Sequence, residues 1–283
     1  MMFTQQEVAD YYNTTLVHYE RWWNLRKSLS LHYGIWENET QTFAESLTNT
    51  NRVLMEVSKI TETDTVLDAG CGVGGAALYL SSTKNAQVTG ITLSLKQVHY
   101  ARQMAKEKNL ERKVSFQVMD YTQTHFENES FDVVWACESI SSAPNKQAFI
   151  NEAYRLLKKG GRLILSDFFL TTKDQEDTNN WIEKWMYTWS MSGLESGEDF
   201  EALLSDKGFI VKENLNYTEK IRKSAQRLYY AALLGAIPSE VYNLFHPNVS
   251  RFSKSHYKSG YYQFKALQEN LWNYRVLLAT KAL

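Results

Sequence analysis

Asp68 stands just ahead of a glycine-rich turn, Gly70-Cys71-Gly72-Val73-Gly74-Gly75, and just after the apolar pair Val66-Leu67. An acid at the end of a buried strand, followed by a backbone that bends sharply and offers no Cβ to an incoming molecule, makes a ligand cradle. The acid suits a ligand with hydroxyls or a positive centre such as a sulfonium or ammonium group. The same residues fit the G-x-G-x-x-G dinucleotide fingerprint, a weak signal alone. A dinucleotide wants the next helix N-terminus free for a pyrophosphate anion, which Asp68 would repel. It also wants an acid about 20 residues on, and that stretch, Gly90-Ile-Thr-Leu-Ser94, has none. A nicotinamide-dependent oxidoreductase stays open as a lesser reading.

The turn resembles the first motif of the class I S-adenosylmethionine (SAM) methyltransferases, and the resemblance runs over about residues 60–170. Gly90-Ile-Thr-Leu-Ser-Leu-Lys-Gln97 resembles the G-x-T-L-S-x-x-Q segment of the sterol, tocopherol and cyclopropane-fatty-acid branch. That implies that Thr92, Leu93 and Gln97 meet the ribose and methionine portions of SAM, beside Asp68, Gly70, Cys71 and Gly72. Met119-Asp120-Tyr121 is similar to the family's third contact segment, implying that Asp120 accepts the adenine amino hydrogen with Tyr121 beside the ring. Phe131-Asp-Val-Val-Trp-Ala-Cys-Glu-Ser139 resembles the fourth strand, and Lys158-Lys-Gly-Gly-Arg-Leu-Ile-Leu165 the turn and strand after it. Many relatives carry a histidine four places beyond the glutamate of the fourth segment. Here that place is Ser142, so that base is not transferred. The loop Ser30-Leu-His-Tyr-Gly-Ile-Trp36, with Tyr11, Tyr12, Asn13-Thr-Thr and Tyr19 before it, resembles the branch's N-terminal lid and brings Tyr33 into the cofactor set. The resemblance implies a SAM-dependent enzyme that methylates carbon, oxygen or nitrogen of a small, hydrophobic molecule; a SAM-binding protein without catalysis is the other reading.

A sulfonium methyl is already activated. The protein then supplies mainly alignment and a dry site, and alignment can account for ~7–11 kcal/mol of a barrier. A base is needed only where the acceptor must lose a proton; Glu138, His32 and His256 are the candidates. Were the acceptor an alkene, attack would leave a carbocation, which the Glu138 carboxylate and Trp or Tyr faces could stabilise.

The elements that must position these residues follow from periodicity. Short apolar strands at 64–68, 87–92, 114–119, 131–137 and 161–168 alternate with helices at 74–82, 94–109 and 146–157, the pattern of a parallel sheet covered on both faces. Helices are expected at 5–26, with Val8, Tyr11, Tyr12, Leu16, Tyr19 and Trp23 near helical spacing, and at 42–59. A helix over 176–191 places Trp181, Trp185 and Trp189 on one face; another at 197–207 leads to a strand at 209–216, and the last strand falls at 272–280. The fold class is thus α/β, a Rossmann-like, mostly parallel seven-stranded sheet. The expected division is a helical lid at 1–60, the core at 61–217, a helical cap at 218–270 and the last core strand at 271–283.

The Trp stripe and Leu228-Tyr-Tyr-Ala-Ala-Leu-Leu234 are either plain helix packing or the walls of an apolar acceptor chamber under the cap. The cap is basic. It could receive an anionic substrate or a membrane surface, or simply complement the acidic run at 174–201. The 283 residues carry a formal net charge of -1, which disfavours nucleic acid as a partner. Cys71 and Cys137 have neither metal-ligand nor disulfide spacing, so no metal is expected and a reducing, cytoplasmic setting is. No apolar run approaches the ~18 residues of a membrane helix, and the N-terminus does not read as a signal peptide. A homodimer is left open.

Overall fold

The computed structural model describes residues 3–22 and 25–283, the side chains of 16–22 and 27 excepted. Leu16, Tyr19 and Trp23 of the expected N-terminal stripe therefore lie outside the described side chains. Seven strands form one sheet: β1 Thr65–Ala69, β2 Gln87–Thr92, β3 Val114–Val118, β4 Phe131–Cys137, β5 Leu157–Leu170, β6 Phe209–Asn216 and β7 Trp272–Lys281. Their order is β3-β2-β1-β4-β5-β7-β6. The first five pair in parallel, and β7 runs antiparallel to both neighbours.

The helices are α1 Gln5–Trp22, α2 Leu25–Ser28, α3 Phe43–Ser58, α4 Gly75–Lys84, α5 Leu95–Glu107, α6 Lys146–Leu156, α7 Trp181–Trp189, α8 Gly197–Lys207, α9 Thr218–Phe245, α10 Arg251–Ser255 and α11 Lys258–Gln268. Period-two alternation sorts the strands between two cores. Val66, Val133 and Trp135 face the side covered by α3, α4 and α5. Leu67, Ala69, Val134 and Ala136 face the side covered by α6 and α8. The helices sit where their caps put them: α3 starts at a capping box between Thr42 and Glu45, and α5 starts where the Ser94 hydroxyl accepts from Gln97 N at 3.1 Å.

Two elements have boundaries that differ clearly from the sequence reading. The helix expected from 176 begins at Trp181, because Asp177 takes the N–H groups of Trp181 (2.9 Å) and Ile182 (2.8 Å) and Asn180 turns left-handed ahead of it. The fifth strand extends beyond 161–168 at both ends, with an irregularity in its register against β4 between the Phe131 and Val133 pairings.

The sheet order reverses between β1 and β4, so the crevice beyond their carboxyl ends is where such a sheet binds its ligand. Asp68 and Glu138 stand at those two ends.

Candidate functional site

A cavity of about 1230 Å³ free of protein atoms, its open mouth included, opens at that crevice. Of the expected residues, Asp68, Gly70, Cys71, Gly72, Thr92, Leu93, Gln97, Asp120, Tyr121, Glu138 and His32 all line it.

One wall is the glycine turn. The N–H groups of Gly70 and Cys71 both donate to the Ile91 carbonyl at 2.9 Å, which folds the turn back over β2. Gly70 has φ +87°, and a Cβ there would lie 2.4 Å from the Ser139 Cβ, so only glycine fits. Thr92 donates to Gln97 Oε1 at 2.6 Å. That bond fixes the amide so that Gln97 Nε2 is the unused end, and it is buried with no hydrogen-bond partner. Asp68 Oδ2 is likewise buried and unpartnered. Burial pushes the Asp68 carboxyl up to about 7, against the Ala77 N–H that favours its charged form. An unmet acceptor and an unmet donor on one cavity wall are costly unless a ligand meets them. They match a molecule bearing both an ammonium and a carboxylate.

Glu138 stands on the facing strand end with a left-handed backbone, φ +49°. Its Oε1 accepts from Tyr33 N at 2.7 Å and from the Tyr274 hydroxyl at 2.8 Å. Burial raises its proton affinity well above that of an ordinary carboxyl, and those two donors oppose the rise. Oε2 takes no hydrogen bond among the described residues. Left-handed strain at a non-glycine residue beside a cavity is common at functional positions. His32 is held by its Nδ1, which donates to the Tyr33 carbonyl at 2.9 Å. Burial brings it down to about 4, so it is a neutral ring with its lone pair on Nε2.

Asp120 accepts from Thr122 N at 2.8 Å, from Thr122 Oγ1 at 2.7 Å and from the Gln5 side chain of α1. Tyr121 donates to the Ser139 carbonyl at 2.7 Å. From α1, Tyr11 and Tyr12 enter the wall, and Leu31 joins them from the loop after α2. Asn13 accepts from Ser94 Oγ at 2.7 Å and ties α1 to the start of α5. Phe168, Trp189 and Met191 complete an apolar wall.

Two expected residues lie elsewhere. Tyr33 does not line the cavity; its ring packs among Phe168, Trp189, Trp272 and Tyr274, and its backbone N–H is what reaches Glu138. His256 packs behind Tyr11, ring centres 5.8 Å apart, and also lies outside the lining. None of the described residues lining this cavity belongs to the 218–270 segment. A second cavity, about 990 Å³ with its open mouth included, lies between α7 and that segment, lined by Glu183, Met186 and Tyr187 on one side and Ser255, Lys258 and Tyr262 on the other. Within the Trp stripe, Trp189 reaches the first cavity, Trp185 is wholly buried, and Trp181 packs on Tyr261 and Tyr262.

Two residues went unread in the sequence. Asp167, buried on β5, accepts from Ile140 N (2.8 Å), Ser141 N (3.1 Å) and Phe168 N (2.8 Å), and so holds the short turn Ile140–Ser142 against the cavity. Lys146 is buried beside it, donating to the Ala143 carbonyl at 2.8 Å. An acid inside an apolar strand run was the signal available for the first.

Residues 67–165 match the family model described as a methyltransferase domain. The chain is 37% identical over 141 residues to the 27-O-demethylrifamycin SV methyltransferase of Amycolatopsis mediterranei, an alignment covering 50% of this chain and 52% of that protein. It is 31% identical over 200 residues to an O-methyltransferase of Pyrenophora dematioidea, covering 68% and 72%. The solved structure of the [4+2]-cyclase SpnF superposes with a TM-score of 0.81 at 22% identity, covering 100% of this chain and 98% of that one, a likeness of fold. None of these matches favours a nicotinamide enzyme. With its glycine turn, its sheet order and its identity to the Pyrenophora enzyme, the chain belongs to the class I SAM-dependent methyltransferases.

Proposed function

We propose that this protein transfers the methyl group of SAM to a small apolar molecule. The observation that carries the reading is the buried, unpartnered pair Asp68 Oδ2 and Gln97 Nε2 on the glycine-turn wall of a cavity whose other wall is aromatic. SAM, when bound, supplies an activated methyl group. Asp68 would face its positive charge, Gln97 and Thr92 its polar chain, and Asp120 and Tyr121 its adenine. Gln5 holds Asp120 in this structure, so α1 would have to yield that carboxylate to the ring. Residues 1–60 would act as the lid over a core formed by 61–217 and 271–283.

The acceptor would lie against Phe168, Trp189, Tyr11 and Met191, which exclude water from the reacting atoms. Glu138 is the base best placed to take a proton from it, since Tyr33 and Tyr274 fix one oxygen and leave the other. His32 is too weak a base near neutrality, and His256 receives no role. The curated relatives named above are O-methyltransferases, so a hydroxyl is the first acceptor group to assay. The test is transfer of labelled methyl from SAM to a panel of apolar alcohols and phenols. Label in a product, lost with Glu138→Gln, supports the reading; SAM binding with no transfer to any carbon, oxygen or nitrogen acceptor overturns it.

A further inference from the structure

The second half of α9 is built inside out. After Ala232 no residue of this helix is buried. Leu233, Leu234, Ile237, Val241, Leu244 and Phe245 all stand exposed, Leu234 at 81% and Ile237 at 78%. At 3.6 residues per turn they share an arc of roughly 120° with Tyr230. The opposite side carries Ala232, Ala236, Ser239 and Asn243, and this small face turns toward the protein. A Cβ on Gly260 of α11 would meet the Ala232 Cβ at 3.2 Å, and Asn243 donates to the Lys254 carbonyl at 3.1 Å. The large apolar side chains therefore point away from the fold. Monomeric proteins rarely leave such a stripe bare unless something covers it.

The charges around the stripe say what covers it. Lys223 and Arg227 continue the same helical face toward the N-terminus, both exposed. Lys254, half-buried, lies past the other end on the inward side, its carbonyl accepting from Asn243 and its ammonium donating to the Pro247 carbonyl. Glu240 is the one acid between 230 and 245, and Lys258 neutralises it at 3.0 Å. Residues 218–270 hold eight Lys and Arg against three acids, in a chain of formal net charge -1. The acidic run at 174–201 does not absorb this charge: the ion pairs of the basic segment go to Glu7, Glu37, Glu219 and Glu240, and among the described residues Lys223, Arg227, Lys254 and Lys265 have none.

We propose that the apolar face of α9 lies on the surface of an anionic lipid bilayer, with Lys223 and Arg227 at the headgroups. An apolar stripe continued by basic residues on the same face is the pattern of an interfacial helix. No helix among the described residues is long and apolar enough to cross a membrane, so α9 lies on the bilayer. A second copy fits worse, because a two-fold pairing would set this basic face against itself.

The test uses the full chain without cofactor, floated with vesicles of phosphatidylcholine alone or mixed with phosphatidylglycerol. Binding to the anionic vesicles is expected at least tenfold above the neutral ones and falls as salt rises. The triple variant Leu234→Ser, Ile237→Ser, Phe245→Ser loses at least tenfold of that binding. Lys223→Gln with Arg227→Gln loses the preference for anionic lipid. All five positions are exposed, and both variants keep the wild-type circular dichroism spectrum; the glutamine pair, which loses the contacts of Lys223 with the Trp36 ring and Arg227 with the Phe43 ring, melts slightly earlier. Failure of the wild type to bind, or equal binding by the triple variant, overturns the proposal. So does a dimer in light scattering that the triple variant dissociates without any lipid binding, which would assign the face to a second copy.

Discussion

Asp68 is a carboxyl held by burial at about 7 rather than in the ordinary carboxylate range. In the cofactor-free protein the contribution of Asp68 to stability is therefore fully present below the carboxyl's unfolded value and is lost as pH climbs through about 7. Asp68→Asn should flatten this fall in melting temperature between about pH 4 and 7. A cationic ligand reverses the preference, since only the ionised acid attracts it. Affinity for SAM should weaken by up to about tenfold per pH unit below 7 as binding must expel a proton, and Asp68→Asn should lose both affinity and this slope in calorimetry. Glu138 should separate from Asp68 by kinetics. If it takes a proton from the acceptor, Glu138→Gln lowers kcat by about 10²–10⁴-fold with SAM affinity unchanged, and full turnover in that variant would remove the role. Much at this scale was legible beforehand, since Asp68, Thr92, Gln97 and Glu138 follow strand ends whose motifs stand out. Asp167 showed only as an acid inside an apolar strand run: its work is done by contacts to backbone N–H groups of a turn 26 and 27 residues away, and no local pattern records those contacts.

The glycine turn and the start of α5 form the element that sets the cradle. Gly72 has φ +51°, and a Cβ there would lie 3.2 Å from Leu31 Cδ1 and 4.0 Å from Gln97 Nε2. Gly72→Val would put a branched side chain into the space in front of Gln97. The left-handed backbone costs the variant about 1–2 kcal/mol, which a folded protein tolerates. It should keep its circular dichroism spectrum and lose SAM binding; unchanged affinity would refute the assignment of the turn. Elements were read best where caps mark them, as at Thr42 and Ser94. The start of α7 was misplaced because Asp177 caps from outside the helix, with a left-handed Asn180 between. The direction of the α9 stripe was unreadable, because helical spacing places apolar residues on one face without saying whether that face looks in or out.

For the whole molecule, the sheet order and its switch between β1 and β4 fix where a ligand sits, and family membership fixes what the cofactor is. The fold alone does not fix the reaction, as its likeness to a [4+2]-cyclase illustrates. The pairing of β6 with β7 across more than fifty intervening residues follows from strand periodicity, whereas the packing of α9–α11 away from the cavity depends on tertiary contacts that no window of sequence holds. A ligand that fills the cavity and engages α1, β1 and α5 together should stabilise the molecule by about 2.7 kcal/mol at one hundred times its dissociation constant. S-adenosylhomocysteine should then raise the melting temperature by a few degrees, and Gly72→Val should abolish the rise.

Calorimetric titration of the chain with SAM and with S-adenosylhomocysteine tests the central claim most directly. Micromolar binding of either, absent in Gly72→Val and weakened below pH 7, is the expected result. A flat titration with the folded wild-type protein would contradict it, since the unmet Asp68 and Gln97 atoms would then have no SAM to hold.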